Sequence, residues 1–157
     1  MTTLTAAYLA GMAGTDSDQG GKEIWNKATT GGSLIRPGKI AFLVEATGIG
    51  RVAGAGDSGR MGIIPKDSPN TDADAQFAVY VKPGTEAYAI VGASTLKPGC
   101  RVMPGPAGVA IIYAAGATNA DFGLAPFVYV GHYGEGSSYD QKATDATVGQ
   151  AVRLRHL

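Results

Sequence analysis

Gln76-Phe-Ala-Val-Tyr-Val-Lys-Pro-Gly-Thr-Glu-Ala-Tyr-Ala-Ile-Val91 is the stretch of this sequence that decides the fold. Two runs rich in Val, Tyr and Phe flank a Pro-Gly pair, which is the pattern of two β-strands separated by a tight turn. Both runs are apolar at nearly every position, so we expect both faces of these strands to be covered. In a β domain this small the second cover is often another subunit, and the pattern therefore favours self-association.

The same texture continues along the chain from Ser33 onwards, as short apolar runs bounded by Gly or Pro. No helical apolar stripe exceeds about two turns, which argues against parallel βαβ units. We predict an all-β fold, namely a small antiparallel β-barrel, tulip-like or sandwich domain, over residues 33–157. The predicted strands are Lys39–Ala46, Ile49–Ala53, Met61–Ile64, Gln76–Lys82, Glu86–Val91, Cys100–Met103, Val109–Ala114, Phe127–Val130 and Ala151–Arg155.

Four Pro-Gly pairs punctuate these runs, at residues 37–38, 83–84, 98–99 and 104–105. Proline presets the φ of the second residue of a type II turn, and glycine accepts the positive φ of the third residue. We therefore predict that all four pairs form type II turns at hairpin corners.

Residues 1–32 have a different composition, with scattered glycines among Thr, Ser, Asp and Gln and no sustained period. Such a segment buries too little apolar surface to offset its backbone entropy, so we predict an extended N-terminal arm held by a partner. The residues expected to anchor it are Tyr8, Leu9, Ile24 and Trp25. The alternative is a capped helix around Gly21–Lys27 that packs on its own domain.

Charge and cysteine content limit the partners that we expect. Thirteen basic residues balance thirteen acidic ones, so no overall field attracts nucleic acid or a membrane surface. Cys100 is the single cysteine, which excludes an intrachain disulfide. Because no apolar run reaches the length of a membrane helix and no basic leader is present, we expect a soluble protein made in a cytoplasm.

Gly56-Asp57-Ser58-Gly59 is similar to the nucleophile segment of chymotrypsin-like proteases. That chemistry needs a histidine base beside the serine and a carboxylate behind the histidine. In the protease family the histidine precedes the serine, whereas His132 and His156 both follow it here, and Arg60 replaces the expected glycine. We interpret the segment as a tight turn between strands and expect no catalytic residues.

A second motif overlaps the first, since Gly54, Gly56 and Gly59 match the G-x-G-x-x-G spacing of dinucleotide-binding loops. That loop requires a helix after it, because the phosphate sits on the helix N-terminus. The following residues resemble a strand that ends at Pro65. We therefore predict no nucleotide site and no cofactor.

Two groups of residues have metal-ligand chemistry. Asp67, Asp72 and Asp74 offer oxygen ligands for calcium, but they lack the glycine and final glutamate of an EF-hand, so we interpret them as a solvated loop. His132 and His156 have no third ligand at a spacing that suits zinc. We predict no metal site.

Aromatic residues divide by their surroundings. Tyr133 and Tyr139 have Gly or Ser neighbours, and together with Trp25 they are candidate partner contacts because aromatic side chains dominate protein interfaces. The aromatic residues expected in the core or an interface are Tyr80, Tyr88, Tyr113, Phe127 and Tyr129.

Three segments carry a resemblance to a known family. They are Val81-Lys-Pro-Gly-Thr-Glu86, Leu96-Lys-Pro-Gly-Cys-Arg-Val102 and Val148-Gly-Gln-Ala-Val-Arg-Leu154. Over roughly residues 33–157 the chain resembles the capsid decoration, or cement, proteins of tailed bacteriophages. It departs from them in a longer polar linker between Pro65 and Gln76.

The resemblance implies a small β-barrel or tulip-like domain on the outer capsid surface, with an arm that staples to the major capsid protein. It also implies association with copies of itself, commonly as a trimer, with a dimer as the alternative. Other functions that fit the composition are a minor coat or tail-tube subunit that assembles by itself, and a β-barrel that binds a small ligand or carbohydrate.

Overall fold

The structure is a computed structural model that describes residues 5–13, 22–27, 35–68, 76–93, 95–113, 123–133, 141–142 and 145–157. The described part is almost entirely β, so the predicted all-β class is confirmed. Its elements are α1 (Ala6–Leu9), β1 (Lys22–Lys27), β2 (Ile40–Val44), β3 (Ile49–Val52), β4 (Met61–Ile63), β5 (Gln76–Tyr80), β6 (Glu86–Ile90), β7 (Arg101–Pro104), a 3₁₀ turn (Pro106–Gly108), β8 (Ala110–Ile112), β9 (Phe127–Tyr133), β10 (Gln141–Lys142) and β11 (Ala151–His156).

The strands form a closed barrel and a second sheet. The barrel order is β1-β3-β2-β4-β5, and β5 returns to pair with β1. The β1–β3 pair is parallel and the other barrel pairs are antiparallel. The second sheet has the order β6-β11-β9-β7-β8, with β10 on β9. A bridge between Val91 and Ala110 brings its two outer strands together, and the Gly92 N–H donates to the carbonyl of Ala110 at 2.7 Å.

Alternation along the barrel strands explains why their runs are apolar at every position. Ala41, Phe77 and Val79 belong to the cluster that fills the barrel interior. Their neighbours Ile40 and Tyr80 face outwards and join the core of the second sheet. Both faces are covered, as predicted, but the second cover is the other sheet of the same chain. The inference that another subunit supplies that cover is therefore wrong for these strands.

Strand β1 corrects the predicted arm. Residues 22–27 pair with β3 and β5 and complete the barrel, so the arm does not extend over residues 1–32, and the alternative helix at Gly21–Lys27 is also wrong. Trp25 points inwards, with its ring centroid 6.1 Å from that of Phe77 in an edge-on arrangement. The segment Lys-Glu-Ile-Trp-Asn-Lys contains two apolar residues, so its strand character depends on the partners on either side.

Several strands are preceded by a turn that contains a glycine with a positive φ angle. Gly38, Gly84 and Gly99 have positive φ values of 81°, 88° and 77°, which confirms the predicted turns at these Pro-Gly pairs. Gly149 repeats the geometry at φ 89°, before β11. The turn at Gly84 is not the predicted hairpin corner, because it joins β5 of the barrel to β6 of the second sheet.

The fourth Pro-Gly pair does not form the predicted turn. Pro104 ends β7, and Gly105 has a φ of −97°, outside the positive-φ region. A Cβ at Gly105 would lie 2.8 Å from Cγ2 of Ile111 and 3.2 Å from Cγ2 of Val109. Glycine is needed there for close approach between neighbouring segments and not for a turn.

Candidate interaction surface

The structure separates the predicted partner residues into exposed and buried ones. Ile24 is 60% exposed and Tyr8 is 44% exposed, so both are available to a partner. Leu9 and Trp25 are each 3% exposed, because they pack within their own chain. The prediction that Leu9 and Trp25 are surface anchors is corrected accordingly. Tyr139 lies outside the described residues, and for Tyr133 the structure describes only its place at the end of β9.

The exposed residue Ile24 lies on the wall of the barrel, on the outward face of β1. It pairs with Ala78 of β5, while its strand neighbour Asn26 pairs with Ile49 of β3. Residues paired across strands point to the same side of a sheet, so Ile24 and Ile49 are diagonal neighbours on one face. Ile49 is 36% exposed, and the Gln76 side-chain amide donates to Oδ1 of Asn26 at 3.2 Å. We call Ile24, Asn26, Ile49 and Gln76 the wall patch.

One end of the wall patch is bordered by an ion pair. Lys22 precedes Ile24 on the same face of β1, and its Nζ lies 2.8 Å from Oδ2 of Asp67. The bond from Lys22 holds the pKa of Asp67 below its usual value, against a smaller effect of burial. Asp67 is thus engaged with Lys22. The other two residues of the proposed calcium set, Asp72 and Asp74, lie outside the described residues.

The protease-like segment is a turn held by its own carboxylate. Both oxygens of Asp57 accept bonds from the Arg51 guanidinium, at 2.7 and 2.8 Å, and Oδ2 also accepts the Gly54 N–H at 2.7 Å. Gly56 and Gly59 have φ values of 87° and 137°, which other residues rarely adopt. The turn interpretation is confirmed, and Asp57 faces an arginine instead of a histidine.

His156 joins the two sheets. Its Nε2 lies 2.9 Å from the carbonyl oxygen of Met61 in β4, and its Nδ1 lies 2.9 Å from the carbonyl oxygen of Leu157. The ring stands edge-on to Phe127 at 5.2 Å. Both ring nitrogens therefore lie within hydrogen-bond distance of backbone carbonyl oxygens. For His132 the structure describes only the backbone in β9.

Cys100 has the properties of a packing residue. Burial raises the pKa of its thiol, with a smaller opposing effect of backbone hydrogen bonds. The thiolate is the nucleophilic form of cysteine, and a raised pKa lowers its population at neutral pH. The same region contains Tyr129, whose pKa is raised to about 12, mainly by burial.

The remaining sequence motifs have plain structural roles. Gly54, Gly56 and Gly59 connect β3 to β4, so a strand follows where a dinucleotide site needs a helix.

Within the described residues, no three His, Cys, Asp or Glu side chains form a group suited to a metal ion. In the same part of the chain, no helix has the length and apolar character to cross a membrane.

Sequence reasoning identified Ile24 but missed Ile49. Ile49 was assigned to a strand as one apolar residue among several, and nothing in its neighbours marks it as exposed. The pairing of β1 with β3 places the two side chains together, and a parallel pair between distant segments leaves no local signal.

No protein-family model matches this sequence, and no curated protein matches it either.

Proposed function

We propose that this protein is a non-enzymatic virion structural protein that binds the outside of a bacteriophage capsid shell. In this role it stabilises the shell by bridging neighbouring subunits of the major capsid protein. The observation that carries the proposal is the wall patch, where two isoleucines face solvent on the wall of a closed barrel. Adjacent exposed apolar side chains with a polar border are typical of protein-binding surfaces.

The chemistry of the wall patch suits a protein partner. Its apolar pair is flanked by the hydrogen-bonded amides of Asn26 and Gln76 and by the Lys22–Asp67 ion pair. This border has amide groups and balanced charge, so it favours hydrogen bonding to a protein surface over attraction to a polyanion. The patch is small, and each contact is weak by itself. Many identical copies on a lattice increase the total binding through avidity.

A bridging role also needs a rigid body between its contacts. Ile40, Met61 and Tyr80 of the barrel share one buried cluster with Phe127 and other residues of the second sheet. A shared core resists relative motion of its two parts, because packed interiors deform little. Contacts made at two places on the molecule are thus held at a fixed separation, which supports bridging by one copy.

The alternatives receive less support from the geometry. A barrel that binds a ligand inside needs a cavity, whereas the interior here is filled by Trp25, Phe77, Val79 and other apolar side chains. A coat or tail-tube subunit assembles from purified protein without a pre-formed shell. Electron microscopy of the purified protein distinguishes that alternative, since a decoration protein forms neither shells nor tubes alone.

The proposal is tested with Ile24→Asp and a matched control. A charge at the centre of the wall patch is expected to lower the affinity for shells of the corresponding phage at least about tenfold, because burying an unpaired carboxylate is costly. The control is Val148→Asp, since Val148 is 64% exposed but lies on a turn of the second sheet. Co-sedimentation with purified shells measures both variants. Unchanged binding by Ile24→Asp would contradict the proposal.

A further inference from the structure

Three strands of the second sheet place two arginines on its outer face, on either side of a valine. Arg155 of β11 and Arg101 of β7 are both opposite Val128 of β9 in the strand registers. Residues paired across strands point to the same side of a sheet. Their sequence neighbours Leu154 and Val102 are fully buried in the shared core, so the three side chains point away from it. We call Arg155, Val128 and Arg101 the arginine row.

The arginine row is accessible to a partner. The Arg155 side chain is 51% exposed, and Arg101 and Val128 are partly exposed. Met103 lies two residues beyond Arg101 on β7 and therefore on the same face, where it pairs with Ile111 of β8. Met103 and Ile111 are also partly exposed. The outer face thus combines guanidinium groups with aliphatic side chains.

The arginines of this face outnumber the carboxylate that is paired with them among the described residues. That carboxylate is Glu86 of β6, whose oxygens lie 3.2 Å from Arg155 and 3.9 Å from Arg153. One negative charge therefore serves two guanidinium groups, before Arg101 is counted. Three arginines against one glutamate leave an excess of positive charge on these four residues, although the whole chain is neutral.

Arg101 is the member of the row that gains most from an added carboxylate. Its Nε donates to the carbonyl oxygen of Ala125 at 2.9 Å, and its Nη2 donates to the same oxygen. A carbonyl oxygen is a neutral acceptor, so it positions the guanidinium without cancelling its charge. Burial lowers the pKa of Arg101, against a smaller opposing effect of Tyr113. The charged form is thus less stable here than in water, and a nearby carboxylate stabilises it.

We propose that the arginine row binds an acidic segment of a partner protein, with carboxylates on Arg155 and Arg101 and an apolar side chain on Val128. The two arginines lie on strands either side of β9, so their backbones are about 10 Å apart. Guanidinium groups bind carboxylates through two parallel hydrogen bonds, which adds specificity to the charge attraction. The row lies on the second sheet and the wall patch on the barrel, so this proposal does not depend on capsid binding.

The aliphatic side chains of the face favour a protein segment over nucleic acid. Val128, Met103 and Ile111 offer apolar contacts, which a protein segment can match with its own apolar side chains while it supplies carboxylates. A sugar-phosphate backbone presents dense negative charge and is bound by strongly basic surfaces, whereas this chain has balanced charge. An acidic peptide is therefore the suitable probe.

Fluorescence anisotropy with a labelled peptide of repeated Glu-Glu-Leu units tests the proposal at low ionic strength. The full chain is expected to bind this peptide and not the matched peptide of Gln-Gln-Leu units, which has the same shape without the charge. Arg155→Gln should weaken binding at least about threefold, because it removes one guanidinium–carboxylate pair. Arg101→Gln should have a similar effect. Circular dichroism confirms that each variant is folded, which we expect for Arg155→Gln because half of that side chain is in solvent.

The matched control is Lys39→Gln, which removes the same charge from another part of the molecule. The Lys39 ammonium also donates to a neutral acceptor, the carbonyl of Ala107 at 3.1 Å, and binding should be unchanged in this variant. An equal loss in Lys39→Gln, or no binding of the acidic peptide by the unmodified protein, would overturn the proposal. Tighter binding of a single-stranded DNA oligonucleotide, with the same dependence on Arg155, would overturn the assignment to a protein partner.

Discussion

Asp57 is the residue whose charge contributes most clearly to a local structure. Partial burial pushes its pKa upwards, but the bonds from Arg51 and the Gly54 amide outweigh burial and hold the pKa below its usual value. A lowered pKa means that folding favours the ionised form. The stabilisation is complete above the unfolded pKa of about 3.9 and is lost as the pH falls through the folded value.

We therefore expect Asp57→Asn to lower the free energy of unfolding by about 1 kcal/mol at neutral pH, since the Arg51 side chain is 42% exposed and solvent weakens its ion pair with Asp57. The difference from the unmodified protein should shrink below about pH 4, because Asp57 is protonated first in the unfolded chain and, at still lower pH, in the folded protein. Urea unfolding at several pH values measures it. A difference that stays constant down to pH 2 would show that the charge is not responsible.

Trp25 determines how well the barrel interior is filled. Trp25→Ala is expected to cost about 3–5 kcal/mol of stability, because it leaves a cavity beside Phe77 and Gly50. Trp25→Phe should cost much less, since the buried indole Nε1 has no hydrogen-bond partner among the described residues. Chemical denaturation followed by circular dichroism compares the two. Equal losses would mean that Trp25 contributes through something other than volume.

Ala107 has a left-handed backbone, with φ 59° and ψ 31°, in the 3₁₀ turn that precedes β8. Its Cβ makes this conformation unfavourable by about 1–2 kcal/mol. Ala107→Gly is expected to raise the free energy of unfolding by about 1 kcal/mol. The matched control is Ala110→Gly, in the regular strand β8, which should be destabilising. Thermal unfolding of both variants provides the comparison, and a destabilised Ala107→Gly would exclude relief of strain.

At the scale of elements, β6 and β11 are joined by a buried carboxylate as well as by backbone bonds. Glu86 is buried, with Oε2 3.2 Å from Arg155 and Oε1 3.9 Å from Arg153. Arg155 is directly opposite Glu86 in the register, and Arg153 is opposite Tyr88. Removing this buried carboxylate takes a counter-charge away from both arginines, so the pairing of β6 with β11 depends on Glu86 more than on an exposed ion pair.

Glu86→Gln is expected to destabilise the protein by about 3 kcal/mol, because the buried carboxylate faces two arginines and the substitution removes its charge from both. Arg155→Gln should cost less than about 1 kcal/mol, since half of that side chain is in solvent. Urea unfolding of the two variants measures the contrast. If Arg155→Gln were the more damaging change, the cluster would be organised around Arg155 and not around Glu86.

At the scale of the whole molecule, the barrel and the second sheet share a core. Residues of both belong to one buried cluster, and residues 5–13 form hydrogen bonds to both. Neither part can lose its packing without exposing apolar surface of the other. The chain should consequently behave as one cooperative unit despite its two sheets.

We expect a single thermal unfolding transition by calorimetry, with equal calorimetric and van't Hoff enthalpies. Amide hydrogen exchange adds detail, because the Gly11 and Tyr88 amides should be protected in the isolated protein. Two separated transitions would indicate that the barrel and the second sheet fold independently. Unprotected amides at both residues would show that the N-terminal segment of residues 5–13 detaches from β6 in solution.

The sequence by itself determined the β class and nine strand positions, because apolar runs bounded by Gly and Pro are local signals. It also determined three of the four Pro-Gly turns. At Gly105 the glycine allows the close approach of Val109 and Ile111 and does not form a turn, so the Pro-Gly signal was misleading there.

Only the tertiary structure decided which surfaces are buried and which are free. The strand nature of residues 22–27 comes from β3 and β5 on either side, since a barrel closes only when its last strand is in place. The burial of Leu9 and Trp25 and the meeting of Ile24 with Ile49 follow from pairing between segments far apart in the chain. The apolar character of a side chain is given by its residue type, but its solvent exposure depends on which other segments pack against it.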